Sequence, residues 1–231
     1  MPVLELVTSS GLGSLLGMRH ALEPDHLAAV STLVTDERNS YKAALLGMCW
    51  GLGHTASLIA VGALLVVLRA EMPPYAADVF EFFVALMLVG LGLRAIYLSA
   101  RHGSSGPVHA HQHGHHVHVH GAAQPHIHIG AWTLARRPLL VGAVHGLAGS
   151  GALTALVLTT LPTTAARLTY MLLFGLGSSV GMAALSGLLG WPLARASQHR
   201  LLARGVPFVV GCVSTALGLF WGYPLVGRLF H

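Results

Sequence analysis

Charge is scarce in this chain of 231 residues, since Asp, Glu, Lys and Arg make up only 9% of it against 54% hydrophobic residues. With a mean hydropathy of +0.66, this composition excludes an ordinary soluble domain and indicates a membrane protein. The second half lacks acidic residues, because all eight lie at or before Glu81. Cysteine is also rare: Cys49 and Cys212 each fall in an apolar run, so we interpret them as buried thiols and not as a disulfide framework.

The sequence lacks the motifs that are typical of several function classes. The basic residues are spread over helix ends without forming a stripe, so nucleic acid is not an expected partner. The Gly-Leu-Gly segments at 51–53 and 175–177 follow no predicted strand, which argues against nucleotide binding. No His-Glu-x-x-His occurs, and Ser150, five residues after His145, points about 140° away from it on one helix. We therefore expect no enzymatic activity and no resident cofactor.

Long apolar runs dominate what remains. A run of about 20 residues can cross a bilayer, so the pattern predicts an all-α polytopic membrane protein with six transmembrane helices. It also divides the chain into a first helical part (1–100), a histidine-rich loop (101–138) and a second helical part (139–231). The six runs cover residues 5–34, 44–69, 77–100, 139–161, 165–190 and 205–229.

The distribution of basic residues predicts the orientation. Eight of the 13 Lys and Arg residues lie in the loops after the first, third and fifth runs, and Arg94 lies toward the same end of the third run. Three lie toward the opposite side, and Arg19 lies within the first run. Positive loops remain in the cytoplasm, which predicts a cytoplasmic histidine-rich loop and two termini outside. We expect a multi-pass protein of a bacterial-type inner (plasma) membrane.

Ionisable residues are concentrated in one segment of the first run, Arg19-His20-Ala21-Leu22-Glu23-Pro24-Asp25-His26. Charges at bilayer depth are costly and are retained mainly where they pair or bind something. Pro24 lacks an N–H group and disfavours the α conformation of the preceding residue, so it predicts a break in the first helix. A break lets His20, Asp25 and His26 converge, and imidazoles with a carboxylate are ligands for divalent transition metals.

The two halves resemble each other at a nearly constant offset. Three runs per half predict an inverted 3+3 repeat with a binding site near the membrane midplane. The first half carries the ionisable groups, while the second has small residues such as Gly146, Gly149 and Ser178, which permit close helix packing. The matching segments are 17–20 with 142–145, 50–54 with 174–178, and 90–93 with 216–219, at offsets of 125, 124 and 126.

Two further histidines lie in these matching segments. His54 is expected on the helix that packs against the first one, as a metal ligand or as a histidine bonded to a carbonyl across the interface. His145 is the repeat partner of His20, and a fifth ligand, a supporting group, a gate residue or a packing histidine all fit its position. Arg19 is expected to neutralise a carboxylate of its own segment or to extend toward the membrane interface.

The loop between the halves holds ten histidines on a background of Gly, Ala and Pro. Such tracts are usually disordered and bind Ni²⁺, Zn²⁺ or Cu²⁺ weakly. We interpret the loop as a local metal buffer, donor or sensor and not as a transport site. The histidines are His102, His109, His111, His113, His115, His116, His118, His120, His126 and His128.

The His-x4-Asp-His pattern formed by His20, Asp25 and His26 resembles the signature of the nickel/cobalt transporter (NiCoT) family. Leu52-Gly53-His54-Thr55 resembles that family's second motif, a Leu-Gly-His-Ser/Thr segment in the next helix. The two motifs lie in the first two spans, about a quarter of the chain. The resemblance implies a secondary permease for Ni²⁺ or Co²⁺, with uptake favoured, in which these four residues handle the ion.

This sequence departs from the family pattern in two ways. The helix that precedes the signature helix in typical members is missing, and the Asp-Ala before Asp-His is Glu23-Pro24. The six-span form with a histidine-rich loop is also similar to nickel/cobalt efflux proteins and to membrane proteins linked to urease or hydrogenase maturation. Efflux remains an alternative, as does a membrane-anchored metal sensor or delivery protein. Besides the ion and the bilayer, metallochaperones or these maturation proteins are candidate partners.

Overall fold

The computed structural model describes residues 3–34, 37, 39–101, 109–113, 116–120, 126–129, 132–196 and 200–230. These residues form seven α-helices and four short strands. The helices are α1 (Val3–His20), α2 (Pro24–Val34), α3 (Ser40–Leu68), α4 (Pro74–Arg101), α5 (Arg136–Thr160), α6 (Thr164–Ala196) and α7 (Arg200–Phe230). The strands are β1 (His109–His113), β2 (His116–His120), β3 (His126–Ile129) and β4 (Trp132–Ala135).

Helices build the body of the molecule, as predicted. Within the described residues, four segments are long and apolar enough to cross a bilayer: Ser40–Leu68, Pro74–Arg101, Thr164–Leu193 and Arg204–Phe230. At 1.5 Å per residue, each exceeds the hydrocarbon thickness of about 30 Å. The helices also expose large apolar side chains, such as Phe220 and Leu188, which are suited to contact lipid. The chain is an integral membrane protein.

The first apolar run is broken at Pro24, as predicted. Helix α1 ends at His20 and α2 begins at Pro24, where a proline is tolerated because the first helical N–H needs no partner. The His20 carbonyl cannot accept a helical bond from Pro24, which lacks an N–H, and instead accepts a bond of 3.1 Å from the N–H of Glu23. The Glu23 carbonyl then accepts the first helical bond of α2 from Leu27, at 2.9 Å. The break is therefore a tight turn in which backbone groups find partners.

The histidine-rich loop contains backbone structure that its composition did not predict. Strands β1 and β2 pair antiparallel, with His109 opposite His120 and His111 opposite His118, and β3 pairs with β4. The His-x-His alternation has the two-residue period of a strand, whereas our expectation of disorder rested on the low content of apolar residues.

Glycines bring two pairs of helices into close contact. A methyl group at Gly17 of α1 would overlap the carbonyl oxygen of Phe174 in α6, and one at Gly142 of α5 would overlap the carbonyl oxygen of Trp50 in α3. The backbones therefore touch at these points, as small residues permit in membrane helices. Gly142 follows Gly17 by 125 positions and Phe174 follows Trp50 by 124, so the two contacts join residues that match in the sequence comparison.

A second pair of contacts lies about one helical turn away, and it also joins residues that match at the offsets of 124 and 125. A methyl group at Gly177 of α6 would overlap the carbonyl oxygen of Ser14, and one at Gly53 of α3 would overlap the carbonyl oxygen of Leu139. Helix α1 thus packs on α6 as α5 packs on α3. Between them, α3 and α6 are joined by the Thr55 hydroxyl, which donates to the Gly175 carbonyl at 2.8 Å.

Candidate metal site

Four helices converge on one buried cluster of ionisable side chains. His20 ends α1, Asp25 and His26 lie in the first turn of α2, His54 lies in α3 and His145 in α5. His54 is 0% exposed, His26 1%, His145 2% and Asp25 9%. The turn before Pro24 lets the first three residues face the same space, which one continuous helix would not do. The structure thus brings together all five predicted site residues.

Two carboxylates set the tautomers of the histidines beside them. An ionised carboxylate can only accept hydrogen bonds, so His20 donates from Nδ1 to Glu23 at 2.9 Å and His26 donates from Nδ1 to Asp25 Oδ1 at 3.0 Å. Each ring then carries its lone pair on Nε2. Among the described residues, neither Nε2 has a hydrogen-bond partner. A carboxylate behind a histidine whose other nitrogen is free is the usual support of a metal-binding imidazole.

His54 completes a set of three imidazoles. One nitrogen from each of His20, His26 and His54 lies within 4.8 Å of the other two. The His20 ring centroid is 4.5 Å from that of His26 and 5.3 Å from that of His54. Neither nitrogen of His54 has a partner in the described part of the chain. Buried nitrogens that lack hydrogen bonds are costly, and three that converge fit a shared cation.

Asp25 and His145 form a second set with His26. His145 donates from Nε2 to Asp25 Oδ2 at 2.6 Å, while Asp25 Oδ1 accepts from His26. One ligand atom from each of these three residues also lies within 4.8 Å of the others. Of the five cluster residues, His26 alone belongs to both sets. In this conformation Asp25 is therefore engaged with two imidazoles.

Aromatic and small residues enclose the cluster. The Phe174 ring lies 5.3 Å from His20, and the Trp50 ring lies 5.4 Å from His26 and 5.8 Å from His145. A methyl group at Gly149 of α5 would lie 3.9 Å from His20 Nε2. Bulky aromatic rings thus close two sides, and the second half contributes a glycine next to the imidazoles, as the repeat comparison predicts.

A cavity of about 930 Å³ leads from this cluster to the surface. His20, Asp25, His26 and His145 lie on its wall, whereas His54 does not. Its other walls come from the first part of α4 and the last part of α7, including Glu81 and Arg228. Arg228 donates to Asp78 at 2.8 Å. The cluster is thus open toward the end of the molecule where α4 begins and α7 ends.

Some expectations are modified by the structure. Arg19 is exposed, and the carboxylates expected to pair with it instead accept bonds from His20, His26 and His145. The side chains of Ser150 and of the loop histidines lie outside the described residues. The positions of Trp50 and Phe174 around the cluster were not predicted, although these two residues match each other at an offset of 124 in the sequence.

The fold and the cluster define a class of protein: a helical integral membrane protein with a histidine-rich cluster of ionisable side chains in its interior, reached from one end. The model of the family described as high-affinity nickel-transport protein (NicO) matches residues 6–218. The chain therefore belongs to this nickel-transport family, and this membership confirms the predicted resemblance. It also makes the protein a transporter and not an enzyme, with nickel as the transported substrate.

Similar proteins include a bacterial and a plant protein. The chain is 31% identical over 227 residues to the urease accessory protein UreH of Bacillus sp. (strain TB-90), which covers 97% of this chain and 95% of that protein. It is 27% identical over 188 residues to the chloroplast protein FOR GROWTH AND FERTILITY 2 of Arabidopsis thaliana, covering 80% of this chain and 48% of that protein. No solved structure matches the chain.

Proposed function

We propose that the protein is a secondary permease that takes up Ni²⁺, or the similar ion Co²⁺, and binds it within the membrane through His20, His26 and His54. The observation that carries this proposal is the convergence of three imidazoles, two of them buried and that of His20 half-buried, with one nitrogen of each within 4.8 Å of the others. Ligand atoms about 2.1 Å from one ion lie at most about 4.2 Å apart, so binding requires only a small contraction of the set.

The chemistry of this set favours nickel over the common hard cations. Imidazole nitrogens suit Ni²⁺, Co²⁺, Cu²⁺ and Zn²⁺, whereas Mg²⁺ and Ca²⁺ prefer shells of oxygen atoms. Asp25, predicted from the sequence as a ligand, has in this conformation the role of holding His26 and His145. Glu23 has the corresponding role behind His20. Each carboxylate also supplies negative charge that partly offsets the two positive charges of the ion.

We propose further that the body is an inverted 3+3 repeat, with residues 1–100 and 139–231 as its halves and 101–138 as the loop between them. The paired contacts support this arrangement, since Gly17 meets Phe174 as Gly142 meets Trp50. The rings repeat the relation, because His20 lies beside Phe174 and His145 lies beside Trp50. The cluster then lies where the halves meet, as binding sites do in transporters of this construction.

The cavity and the predicted orientation together support uptake as the direction of transport. The cavity is lined by the first part of α4 and the last part of α7, and the distribution of Lys and Arg predicts that these helix ends lie outside the cell. With this orientation the described conformation opens to the outside, and we propose that it is the state that receives the ion for uptake. Because one relative is a urease accessory protein, we propose that maturation proteins of nickel enzymes, with or without a metallochaperone, receive the ion from the cytoplasmic histidine-rich loop.

Cells that express the chain distinguish uptake from its alternatives. A permease for uptake raises cellular nickel at low external Ni²⁺, and an efflux protein lowers it and protects cells at high Ni²⁺. If the protein is a membrane-anchored sensor or delivery protein, replacing His26 changes neither the cellular nickel content nor the protection at high Ni²⁺. Nickel content by elemental analysis, with the His26→Ala variant as control, separates the three. Unchanged or lowered nickel in cells with the native chain contradicts uptake.

The Glu23 carboxylate is expected to matter through His20. We predict that Glu23→Ala weakens Ni²⁺ binding about tenfold, because His20 loses the acceptor that fixes its tautomer and ring orientation. Half of the Glu23 side chain is exposed, which places the effect at the lower end of the usual range. Glu23→Gln keeps an acceptor oxygen and is the matched control. Isothermal titration that finds both variants within about twofold of the native chain contradicts this role.

The positive charge of Arg228 on the cavity wall is expected to slow cation entry. At low ionic strength, Arg228→Gln should raise the initial rate of Ni²⁺ uptake into proteoliposomes about two- to fivefold, because it removes a repulsive charge from the route. Arg228→Lys keeps the charge and should behave like the native chain. The gain should shrink at high salt, where the charge is screened. A slower Gln variant, or a gain independent of salt, contradicts the prediction.

A further inference from the structure

We propose that the ion passes through two overlapping stations that share His26. The first station is Asp25, His26 and His145, and the second is His20, His26 and His54. This inference rests on the proposed function and adds an order of binding to it. It also assigns to His145, from the second half of the chain, a direct part in loading the ion.

Both stations are present in the geometry. Each consists of three residues with ligand atoms within 4.8 Å of one another. His26 faces them with different nitrogens: Nδ1 lies 3.0 Å from Asp25 Oδ1, and Nε2 has no partner among the described residues. The His26 ring centroid lies 4.1 Å from that of His145 and 4.5 Å from that of His20. One ring thus lies between the two sets.

The chemistry of imidazole makes the stations alternatives. A neutral imidazole offers one lone pair and carries one N–H, so His26 can bind an ion through only one nitrogen at a time. In the first station the ion is on Nδ1 and the proton is on Nε2. In the second the ion is on Nε2, and the proton is on Nδ1, where Asp25 accepts it as in the described structure. The ring holds one proton in each station: the move releases the Nε2 proton to water in the cavity and takes up a proton from water on Nδ1, while the ion passes from one edge of the ring to the other.

The cavity gives the order of the two stations. All three residues of the first station lie on its wall, so an ion arriving from outside meets a complete set of ligands there. The second station includes His54, which is 0% exposed and is not on that wall. In the described conformation Asp25 accepts hydrogen bonds from both imidazoles of the first station. The ion therefore binds there only after His26 and His145 have moved these protons to their other ring nitrogens, and the described conformation has the proton arrangement of the second station.

Matched histidine variants test the two stations. Ni²⁺ binding is measured by equilibrium dialysis and rapid mixing on the purified chain with and without residues 103–130, and flux is measured in proteoliposomes. The ligands are identified by X-ray absorption on the chain that lacks these residues, so that the loop histidines do not contribute. In His54→Gln we expect bound Ni²⁺ with two imidazoles and a carboxylate, and flux reduced by about 100-fold or more. In His145→Gln we expect three imidazoles and an affinity within about threefold, with loading slowed about tenfold. The double variant should lose binding beyond the sum of the two changes.

The possible results separate this inference from the proposed function. The inference falls if His54→Gln and His145→Gln each remove one imidazole from the Ni²⁺ complex that the native chain forms, because a single station then contains both residues. It also falls if His145→Gln loads Ni²⁺ at the native rate. If the native chain binds Ni²⁺ without imidazole and His26→Gln does not alter it, the proposed function itself falls. The thermal unfolding midpoint of each metal-free variant reports folding, and His54→Asn replaces His54→Gln if the latter does not fold.

Discussion

Replacing His26 with Ala is expected to abolish nickel transport, with a loss of at least about 100-fold in flux. His26 is 1% exposed and lies between His20, His54 and His145, so no neighbouring side chain can take its place. Its removal leaves the second station with two imidazoles and the first with one. It also frees Asp25 from one of its two hydrogen bonds, which leaves a buried carboxylate with less support. The measurement is Ni²⁺ entry into proteoliposomes under an inward gradient.

Deletion of residues 103–130 is the matched comparison for this variant. It removes nine of the ten loop histidines while leaving the described helices complete. We expect the deletion to change the rate or the apparent affinity moderately, because the role proposed for the loop is to buffer metal near the site and not to form it. If the deletion abolishes flux while His26→Ala retains it, the loop and not the buried cluster is the transport site.

Substitutions at the glycines of the helix contacts are expected to have the largest effect on stability. Gly17→Ala and Gly142→Ala each place a methyl group onto a carbonyl oxygen of the facing helix. Overpacking of this kind costs about 1–3 kcal/mol or more, and rigid backbone on both sides places these positions at the upper end. The separated helices would also move His20 away from His54. Thermal unfolding in detergent, followed by loss of monodisperse protein, measures the effect.

Gly90→Ala is the control for these variants, because a methyl group at Gly90 of α4 meets no atom within 4 Å. It should leave the unfolding midpoint unchanged or raise it slightly, since Ala favours a helix over Gly. The proposed inverted repeat adds a further expectation, that Gly17→Ala and Gly142→Ala lower the midpoint by similar amounts. A control as unstable as the two contact variants, or contact variants as stable as the native chain, contradicts the packing described above.

Local chemistry explains how much of this arrangement was predictable. The break before Pro24 follows from a missing N–H, which acts on its own neighbours, and the structure places it at that residue. The convergence of His20, Asp25 and His26 follows from the break. The contact of His54 and His145 with this segment was suggested by matching sequence offsets, which indicate that residues are equivalent without giving their distance.

The division of roles within the cluster could not be predicted in the same way. Whether Asp25 binds the ion or holds an imidazole depends on distances of 2.6 and 3.0 Å to His145 and His26, and these depend on how four helices pack. The expected pairing of Arg19 failed for a similar reason, because two histidines lie closer to Asp25. The cavity beside Glu81 and Arg228 depends on α4 and α7, which carry no metal motif.

X-ray absorption at the nickel edge, on purified chain lacking residues 103–130, tests the central claim most directly. Without the loop, the only histidines left near one another in the described structure are His20, His26, His54 and His145. We expect one tightly bound Ni²⁺ whose spectrum shows three imidazole nitrogens in the native sequence and two imidazole nitrogens in the His54→Gln variant. If the chain without the loop binds no nickel, or binds it through oxygen atoms alone, an intramembrane histidine site is contradicted.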